Sequence, residues 1–298
     1  MDLLDKMATF VRVIDVGSFS AAAKQLRLSP AAVSRQIATL EGELGISLLR
    51  RSTRRMAITP SGRLYYERCL RILRDVDEAQ AIGRGDAADG LLQVSASVTF
   101  GLARVVPHVR SLMLAHPGLR IDLRLEDRLV DLVVEDVDVA IRVGSPAPDR
   151  TDLIAQKLLE FPRVVVAAPE YLKRRGEPRT PEALAKHDGL TNAADPAARA
   201  SWSLGGEGRE VRGRVNVVFS SNAPHALREL ALAGAGLALL PRFLVADDLR
   251  RGALRHVLPA WQSESVTANA IFRSKHKEAP RIRMLVEHLR RAYAAEAA

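Results

Sequence analysis

The residues best suited to recognise another molecule lie on a predicted helix that Ser29 opens and Gly45 closes. Arginine can donate paired hydrogen bonds to the major-groove edge of guanine, glutamine can bond adenine, and alanine or a proline ring can contact a thymine methyl. The outer face of this helix therefore predicts contacts with base edges in duplex DNA. Gln36 is expected near the edge of that helix face. The alternative is a solvated helix without a ligand. The candidate DNA-contacting residues are Ser29, Pro30, Ala31, Ser34, Arg35 and Gln36.

Three short helices are predicted to hold that face outward. Apolar residues recur at helical spacing over Leu3–Ile14, and this first helix should stop near Gly17. Ser18 is a suitable cap for a second helix, and Ser29 with Pro30 supplies a cap and a first-turn proline for the third. Two helices, a tight turn and a third helix with a polar outer face are typical of a helix-turn-helix.

A basic hairpin is predicted directly after the third helix, with strands at 46–49 and 56–58. No acidic residue lies between Glu43 and Glu67, so no sequence neighbour neutralises its arginines. Arginines on such a wing can reach backbone phosphates or an adjacent minor groove. We favour DNA contact here over a charged hairpin that faces water. The candidate residues on the wing are Arg51, Arg54 and Arg55.

The charge of the chain is consistent with a polyanionic partner. Its 298 residues include 44 Lys and Arg against 35 Asp and Glu, a net charge of +9, with a pI of about 10.2. Residues 1–66 contain ten basic and five acidic side chains, which accounts for more than half of that excess. Charge alone fits an arginine-rich protein with a solvated surface equally well. Aromatic residues make up 4%, which argues against single-strand binding by base stacking.

The sequence offers little for catalysis or metal binding. The single cysteine, Cys69, excludes an internal disulfide and suits the packed side of a helix better than a redox sensor. The seven histidines lack metal-ligand spacing, and no nucleophile elbow or phosphate-binding loop occurs. No catalytic residue, metal or cofactor is therefore predicted, and an enzyme is not expected. Because no apolar run could span a bilayer and no secretory signal is present, a soluble, cytoplasmic protein is expected.

A long helix is predicted from the cap-and-proline pair Thr59-Pro60 to about Ile82. Its one-sided apolar seam has no adjacent domain in the sequence to cover it, which favours pairing with a second copy of the chain. Glycines then bracket a polar linker. We therefore expect a linker and dimerisation helix over 60–84 and a hinge over 85–90.

At this point the sequence resembles a known family. The block FSAAAKQLRLSPAAVSRQIATLEGELGISLLRRSTRRMAITPSG (19–62) is similar, without gaps, to the DNA-binding domain of LysR-type transcriptional regulators. The resemblance continues through VDVAIRVG (137–144), TPEALAKHDGL (180–190) and LAGAGLALLPRFLVADDL (232–249). It implies a homodimer or homotetramer that binds double-stranded DNA at an interrupted inverted repeat and takes a small-molecule effector in its C-terminal domain.

Two positions depart from the pattern of that family. Leu49-Arg50-Arg51 stands where the family often has Phe-Glu-Arg, and the extra positive charge should raise phosphate affinity and steepen the salt dependence of binding. Asp136 stands where a glycine is common. Because aspartate tolerates a left-handed turn, the fold is expected to be unaffected there.

From residue 91 onward, strand-like and helix-like segments alternate, which predicts doubly wound sheets with ligand sites at the carboxyl ends of strands. The segment 129–135 is predicted to be helical and 211–219 to be one strand. The resemblance implies two lobes, between which the chain crosses near 161–162 and again near 264–267.

The expected fold class is α+β multidomain, with an N-terminal winged helix-turn-helix, a long linker helix and a C-terminal α/β two-lobed domain similar to periplasmic binding proteins. The expected bounds are 1–59 for the DNA-binding domain, 60–84 for the linker helix, 85–90 for the hinge and 91–298 for the effector-binding domain. Lobe 1 is expected at about 91–161 and 268–298, and lobe 2 at about 162–267.

An effector is expected in the cleft between the lobes. Two stretches place hydroxyls and amides at helix N-termini, which suits an anion, although capping explains them equally well. The resemblance adds the turn after 137–143 and the segment 191–192; an arginine on the preceding strand could pair with a carboxylate or face outward. We expect a carboxylate-bearing or aromatic metabolite, in particular an organic acid. The candidate residues are Ser97, Thr99, Phe100, Arg142, Gly144, Thr191, Asn192, Ser221 and Asn222.

Three functions remain open on the sequence alone. The favoured one is a sequence-specific DNA-binding regulator whose operator binding responds to an effector. A small-molecule enzyme or solute-binding protein with a basic N-terminus would keep its main activity when residues 1–85 are deleted. A general nucleoid-type DNA binder would show no sequence preference, whereas the Ser34-Arg35-Gln36 face predicts some.

Overall fold

The computed structural model describes residues 2–51, 56–84, 89–144, 151–195, 198–277 and 279–297. The chain divides into two units, Met1–Leu91 and Leu92–Ala298. Within the described ranges, no helix combines the length and the apolar character needed to cross a membrane.

The first unit consists of helices whose ends are set by local sequence. Ser18 and Ser29 accept hydrogen bonds from the backbone N–H groups of Ala21 and Ala32, so both predicted caps are confirmed. The third helix ends at Gly45, whose φ of 67° is left-handed. The elements are α1 (Leu3–Val16), α2 (Phe19–Leu26), α3 (Pro30–Leu44), β1 (Leu49–Arg51), β2 (Met56–Ile58) and α4 (Pro60–Arg84).

One small core holds these helices together. Ala22 and Ala23 of α2 are buried and have side chains small enough to let α1 and α3 approach closely. Cys69 of α4 is fully buried in this core, and desolvation raises the pKa of its thiol to about 11. The thiol therefore stays protonated at neutral pH, which fits packing. Elsewhere on α4, Leu64 and Ile72 are exposed.

The first strand of the hairpin begins later than predicted. The predicted strand 46–49 is observed as β1 at Leu49–Arg51, antiparallel to β2. The reason is that the backbone of Leu48 bonds to the side chain of Glu41 and to the N–H of Thr59 instead of to a partner strand.

The second unit contains two five-stranded sheets and one small sheet. Its strands are β3 (Gly90–Ala96), β4 (Leu119–Leu125), β5 (Val139–Val143), β6 (Leu153–Phe161), β7 (Arg163–Ala167), β8 (Asp188–Asn192), β9 (Ser201–Gly206), β10 (Arg209–Arg214), β11 (Asn216–Ser221), β12 (Leu237–Pro241), β13 (Arg255–Val257), β14 (Gln262–Ser263) and β15 (Val266–Arg273). Its helices are α5 (Val98–Phe100), a π-helical stretch (Gly101–Val105), α6 (Val106–Ala115), α7 (Pro169–Arg175), α8 (Pro224–Leu232), α9 (Arg242–Arg250) and α10 (Pro280–Ala297), with 3₁₀ turns at Pro181–Lys186 and Ser274–His276.

The two large sheets form separate lobes. One sheet has the order β4-β3-β5-β15-β6, and the other has the order β11-β8-β12-β7-β13; the small sheet is β10-β9-β14. Parallel pairs (β3 with β5, β8 with β11 and β12) join antiparallel ones in each large sheet, so the sheets are mixed. The chain passes from one large sheet to the other between Phe161 and Arg163 and returns through the segment 264–265.

Two segment predictions in this unit are wrong. Residues 129–135 form no helix; a turn spans 132–136, and the side chain of Asp131 accepts the N–H groups of Val133 and Val134. Residues 211–219 are not one strand, because the chain changes from the small sheet to a large one between β10 and β11. Asp136 does adopt the left-handed conformation expected of it, with a φ of 57°.

Candidate functional site

The outer face of α3 is open to solvent where the sequence predicted it. Pro30, Ala31 and Arg35 are exposed, and Ser34 is half-buried. Ser29 is also exposed, but its hydroxyl accepts the N–H of Ala32 at 3.1 Å and so serves as the helix cap.

The expectation that Gln36 lies at the edge of this face is wrong. The side chain is buried, and Thr9 Oγ1 of α1 donates a hydrogen bond of 2.5 Å to Gln36 Oε1. The reason is helical periodicity: position 36 lies three residues after Val33 and four before Leu40, both of which are core residues. Gln36 therefore faces α1.

An ion pair also ties α1 to α3. Lys6 Nζ bonds both carboxylate oxygens of Glu43, at 2.5 and 2.6 Å, and the lysine itself is buried. A charge-assisted pair in this position holds the C-terminal half of α3 on its supporting helix.

The wing is described at its base. Arg51 is the last residue of β1 and pairs with Met56, while Arg54 and Arg55 lie outside the described residues. Arg50, which was not among the predicted contacts, is exposed on the same strand. Its position in the basic run of residues 50–55 is the sequence signal that could have identified it as a candidate.

The second unit contains a cavity of about 920 Å³ between its two large sheets. Several of its lining residues stand at or just beyond the carboxyl ends of strands: Ser97 after β3, Gly144 after β5, Asn192 at the end of β8 and Asn222 after β11. This is the position at which open α/β sheets bind ligands.

Seven of the nine predicted effector residues line this cavity. They are Ser97, Thr99, Phe100, Arg142, Gly144, Asn192 and Asn222.

Thr191 and Ser221 do not line the cavity. Neighbouring strand residues point to opposite faces, so Thr191, between Leu190 and Asn192, is buried and its hydroxyl bonds Phe219 O at 3.5 Å. Ser221 Oγ accepts the N–H of Ala223 in the turn before α8.

Arg142 is a buried cation at the edge of this cavity. Its side chain donates to Ser95 Oγ at 2.6 Å and to the backbone oxygens of Ile141 and Arg128 at 3.0 and 3.3 Å. Within the residues that the structure describes, no carboxylate lies at ion-pair distance; Glu126 is reached only through Ser95. Burial lowers the pKa of Arg142, although a guanidinium remains charged at neutral pH.

Further donors are unsatisfied beside the same cavity. Ser97 Oγ, Arg142 Nε and Arg163 Nε are buried and lack hydrogen-bond partners within the described part of the chain. Arg163 Nη1 does pair with Asp195 Oδ2 at 2.7 Å. Because Ser97 makes no capping bond, capping does not account for this residue.

Aromatic side chains form one wall of the cavity. Phe161 and Phe243 pack edge to face with centroids 4.9 Å apart, and both lie 6.0 Å from Phe100. Trp202 is buried and also lines the cavity, so it packs rather than covering an entrance. Phe161 and Phe243 were not predicted, because apolar residues of this kind cannot be told from core residues by sequence alone.

One hydrogen bond crosses between the lobes beside the cavity. Thr99 Oγ1, from the lobe that contains β3, lies 3.2 Å from His225 Nδ1, from the lobe that contains β8. Thr99 is buried. A molecule that bonds the Thr99 hydroxyl therefore competes with a contact that joins the two lobes.

Comparisons with known proteins agree with this combination of a helix-turn-helix and a domain whose two lobes enclose a cavity. A family model described as a bacterial regulatory helix-turn-helix protein of the lysR family matches residues 4–63, and a LysR substrate-binding domain matches residues 85–294. The chain belongs to the LysR family of transcriptional regulators.

Individual relatives are similar over nearly the full length. An HTH-type transcriptional regulator of Xanthomonas campestris is 35% identical, and the alignment covers 97% of this chain and 84% of the relative's chain. The HTH-type transcriptional activator AaeR of Escherichia coli is 32% identical, with 97% and 93% covered. The structure of CrgA, a LysR-type regulator from Neisseria meningitidis, is 30% identical with a TM-score of 0.60, covering 96% of this chain and 98% of that one.

These similarities establish the function at the level of the family. The protein is a transcriptional regulator with a DNA-binding domain and an effector-binding domain, and its relatives are regulators rather than enzymes. LysR regulators bind DNA and small-molecule effectors and are oligomeric.

Proposed function

We propose that the target is an interrupted inverted repeat in duplex DNA and that Arg35 is the principal base-reading residue. The observation that carries this proposal is the exposure of Arg35 on the face of α3 that also presents Pro30 and Ala31. A long side chain between small neighbours can enter the major groove without steric hindrance. Arg51, Arg54 and Arg55 of the wing then supply phosphate contacts that position the helix.

The division of labour proposed here follows the chain. Residues 1–59 bind DNA, 60–84 pair with a second copy, 85–90 act as the hinge and 91–298 bind the effector. Lobe 1 comprises about 91–161 and 268–298, and lobe 2 about 162–267. Because the target is chromosomal DNA, we place the protein in the cytoplasm.

Protection footprints of a duplex selected by the full-length chain test the form of the target. Two protected major-groove segments on one face of the DNA, about 10 base pairs or a multiple of that apart, are expected from two α3 helices. One continuous, asymmetric footprint would contradict the inverted repeat.

For the effector, we propose an organic acid with an apolar, preferably aromatic, body. Arg142 is a buried cation without a direct ion pair among the described residues, which favours an anion; the carboxylates of Glu126, Asp127 and Glu135 act on its charge from a greater distance. Ser97 Oγ and Arg163 Nε provide further donors, and Phe100, Phe161 and Phe243 provide an apolar wall. An acid of this kind satisfies the cation and covers the aromatic wall at once.

Isothermal titration with carboxylic acids and their primary amides tests this assignment. Each pair differs only in charge and one donor group, so the acid is expected to bind and its amide to bind at least about tenfold more weakly. Arg142→Gln should remove that preference, whereas Arg179→Gln, at an exposed site that does not line the cavity, should keep it. Equal binding of acids and amides by the unaltered protein would contradict the proposal.

We propose two surfaces for self-association, both occupied by a second copy of this chain. The first is the exposed side of α4, with Leu64 and Ile72. The second combines α6, where Met113 and Leu114 are exposed over a groove of about 510 Å³, with the edge strand β11 and its exposed Val218. An apolar edge strand is normally protected, so a partner that covers it is expected.

Two independent self-association surfaces give a homodimer through one of them and a homotetramer through both. Sedimentation velocity of the full chain tests this. Leu114→Glu and Ile72→Glu should each reduce the largest species, and Lys173→Glu, at an exposed site on α7, should not. A sedimentation profile that neither variant changes would contradict both surfaces.

Effector and operator are proposed to influence each other through the lobes. Ligand that closes the cavity competes with the Thr99–His225 contact and changes how the lobes meet. Coupling of this kind has a free energy of about 1–3 kcal/mol and is reciprocal. A gel-shift titration in which a bound effector changes neither affinity nor footprint would contradict the coupling.

A further inference from the structure

One carboxylate oxygen of α3 accepts two hydrogen bonds from the backbone that leads into the wing. Glu41, near the C-terminus of α3, accepts the N–H of Leu48 at 2.7 Å and the N–H of Leu49 at 3.0 Å, both on Oε1. The turn that separates Glu41 from these residues contains Gly45 in the left-handed conformation and the exposed residues Ile46 and Ser47. Leu48 and Leu49 are also buried in the core that contains Ile37 and Leu40 of α3, so apolar packing brings this segment to α3 and the two hydrogen bonds fix the direction of its backbone there.

The other side of the same segment is held by the beginning of α4. Thr59 Oγ1 donates to Ser47 O at 2.8 Å, and the N–H of Thr59 donates to Leu48 O at 3.0 Å. A Cβ at Gly62 would lie 2.1 Å from Leu48 O, so α4 packs directly on the wing backbone. Without Glu41 the wing would keep its attachment to α4 and the apolar packing of Leu48 and Leu49, but lose the hydrogen bonds that orient its backbone against α3.

We propose that Glu41 is a positioning residue for DNA binding: it fixes the direction of the wing relative to the recognition helix. This inference rests on the DNA contacts proposed above for α3 and for the wing arginines. Because both groups must reach the duplex together, a wing free to turn about α4 loses phosphate contacts even when α3 remains in the groove. Glu41 touches no base in this account; it acts through the backbone of Leu48 and Leu49.

Electrostatic repulsion alone predicts the opposite effect of removing Glu41 on DNA affinity, so the positioning role can be tested. A carboxylate close to DNA repels the phosphates, so its removal should tighten binding if repulsion were its only effect. The positioning role predicts weaker binding on truncation. Because both hydrogen bonds end on one oxygen, glutamine can accept them without the charge.

The experiment uses the full-length chain and a duplex that the unaltered protein selects from a random-sequence pool. Glu41→Ala is expected to weaken binding roughly five- to tenfold. The slope of log affinity against log salt should become shallower by the amount that corresponds to the loss of about one to two phosphate contacts. Glu41→Gln should restore the slope of the unaltered protein. In Glu41→Ala, hydroxyl-radical footprints should lose protection of the DNA backbone at the wing contacts, whereas protection of guanine N7 in the major groove from dimethyl sulfate should be kept.

Glu170→Gln is the control, because it removes one negative charge at an exposed site on α7, outside α3, the wing and the residues that support them. Its salt slope is expected to equal that of the unaltered protein. If Glu41→Ala melts at a lower temperature than the unaltered chain, Glu41→Asp, whose shorter side chain cannot reach both N–H groups, takes its place.

Unchanged slopes in Glu41→Ala and Glu41→Asp, or an equal gain of affinity in Glu41→Ala and Glu41→Gln, would overturn the positioning role. Failure of the proposed function looks different, because an unaltered chain that selects no duplex fails before any variant is compared.

Discussion

Thr9 on α1 and Gln36 on α3 share a buried hydrogen bond, with 2.5 Å between Thr9 Oγ1 and Gln36 Oε1. The next residue toward the N-terminus, Arg35, lies about 100° away around the helix and is exposed. Two adjacent polar residues thus have different surroundings: one attaches α3 to its support, and the other is free to meet DNA.

Substitution of Gln36 should therefore affect stability and leave base preference unchanged. Gln36→Leu leaves the Thr9 hydroxyl buried without this acceptor and should cost about 1–3 kcal/mol. Thermal unfolding of the full chain measures the loss, and competition between base-substituted duplexes measures the preference. The double variant Thr9→Val with Gln36→Leu should recover part of the stability. A changed base preference at unchanged stability would show that Gln36 reads DNA after all.

Substitution of Arg35 should change base preference and leave stability unchanged. Arg35→Ala removes a bidentate donor from the outer face of α3 and should cost roughly 1–3 kcal/mol of binding while relaxing preference at one base position. Arg12→Ala, at an exposed site on α1, removes the same charge and serves as the control. Equal losses on all duplexes, in both variants, would reduce Arg35 to a phosphate contact.

A wing arginine should contribute to affinity without reading sequence. Arg54→Ala is expected to weaken binding to every duplex alike and to reduce the salt slope by about one. Gel-shift titrations at several salt concentrations measure the slope. A loss confined to one base position would assign Arg54 to base reading instead.

The buried carboxylate of Asp248 should make the second unit sensitive to acid. Burial opposes its ionisation, but hydrogen bonds from Arg228 at 2.5 and 2.7 Å and from Arg251 at 2.7 Å outweigh this and hold its pKa below the ordinary value. A lowered pKa contributes stability at neutral pH that disappears as the pH falls below about 4. The unfolding temperature of the unaltered protein should fall over that range.

Asp248→Asn should cost about 3 kcal/mol at neutral pH and flatten the acid dependence, because it removes the ionisable partner of a buried pair. Asp247→Asn is the control: its side chain is 72% exposed, and its pairing with Arg250 should contribute at most about 1 kcal/mol. Equal pH profiles for the unaltered protein and Asp248→Asn would assign the acid sensitivity to other groups.

Local signals in the sequence were sufficient for the helix ends of the first unit, but not for the start of β1. The caps at Ser18 and Ser29 and the stop at Gly45 depend on the residues beside them, and all three are as predicted. The burial of Gln36 depends on Thr9, which lies 27 positions away, although its spacing from Val33 already placed it on the inner face.

The cavity was predicted less completely, because its walls come from distant segments. Residues after strand ends, such as Ser97 and Asn222, carry a recognisable signal. Phe243 reaches the cavity from α9 and meets Phe100 only after the chain has crossed from one large sheet to the other at 161–163. Neighbouring side chains of a strand point to opposite faces of the sheet. If Leu190 had been assigned to the cavity side, Thr191 would have been excluded from the cavity lining.

The central claim is that α3 lies against base edges of duplex DNA with Arg35 in the groove. Selection from a random-sequence duplex pool at low ionic strength, performed side by side with the full-length protein and Arg35→Ala, tests it most directly. We predict that the unaltered chain enriches one motif with two inverted halves and that the variant loses preference at one position in each half. Failure of the unaltered chain to enrich any duplex, or identical motifs from both proteins, would contradict the claim.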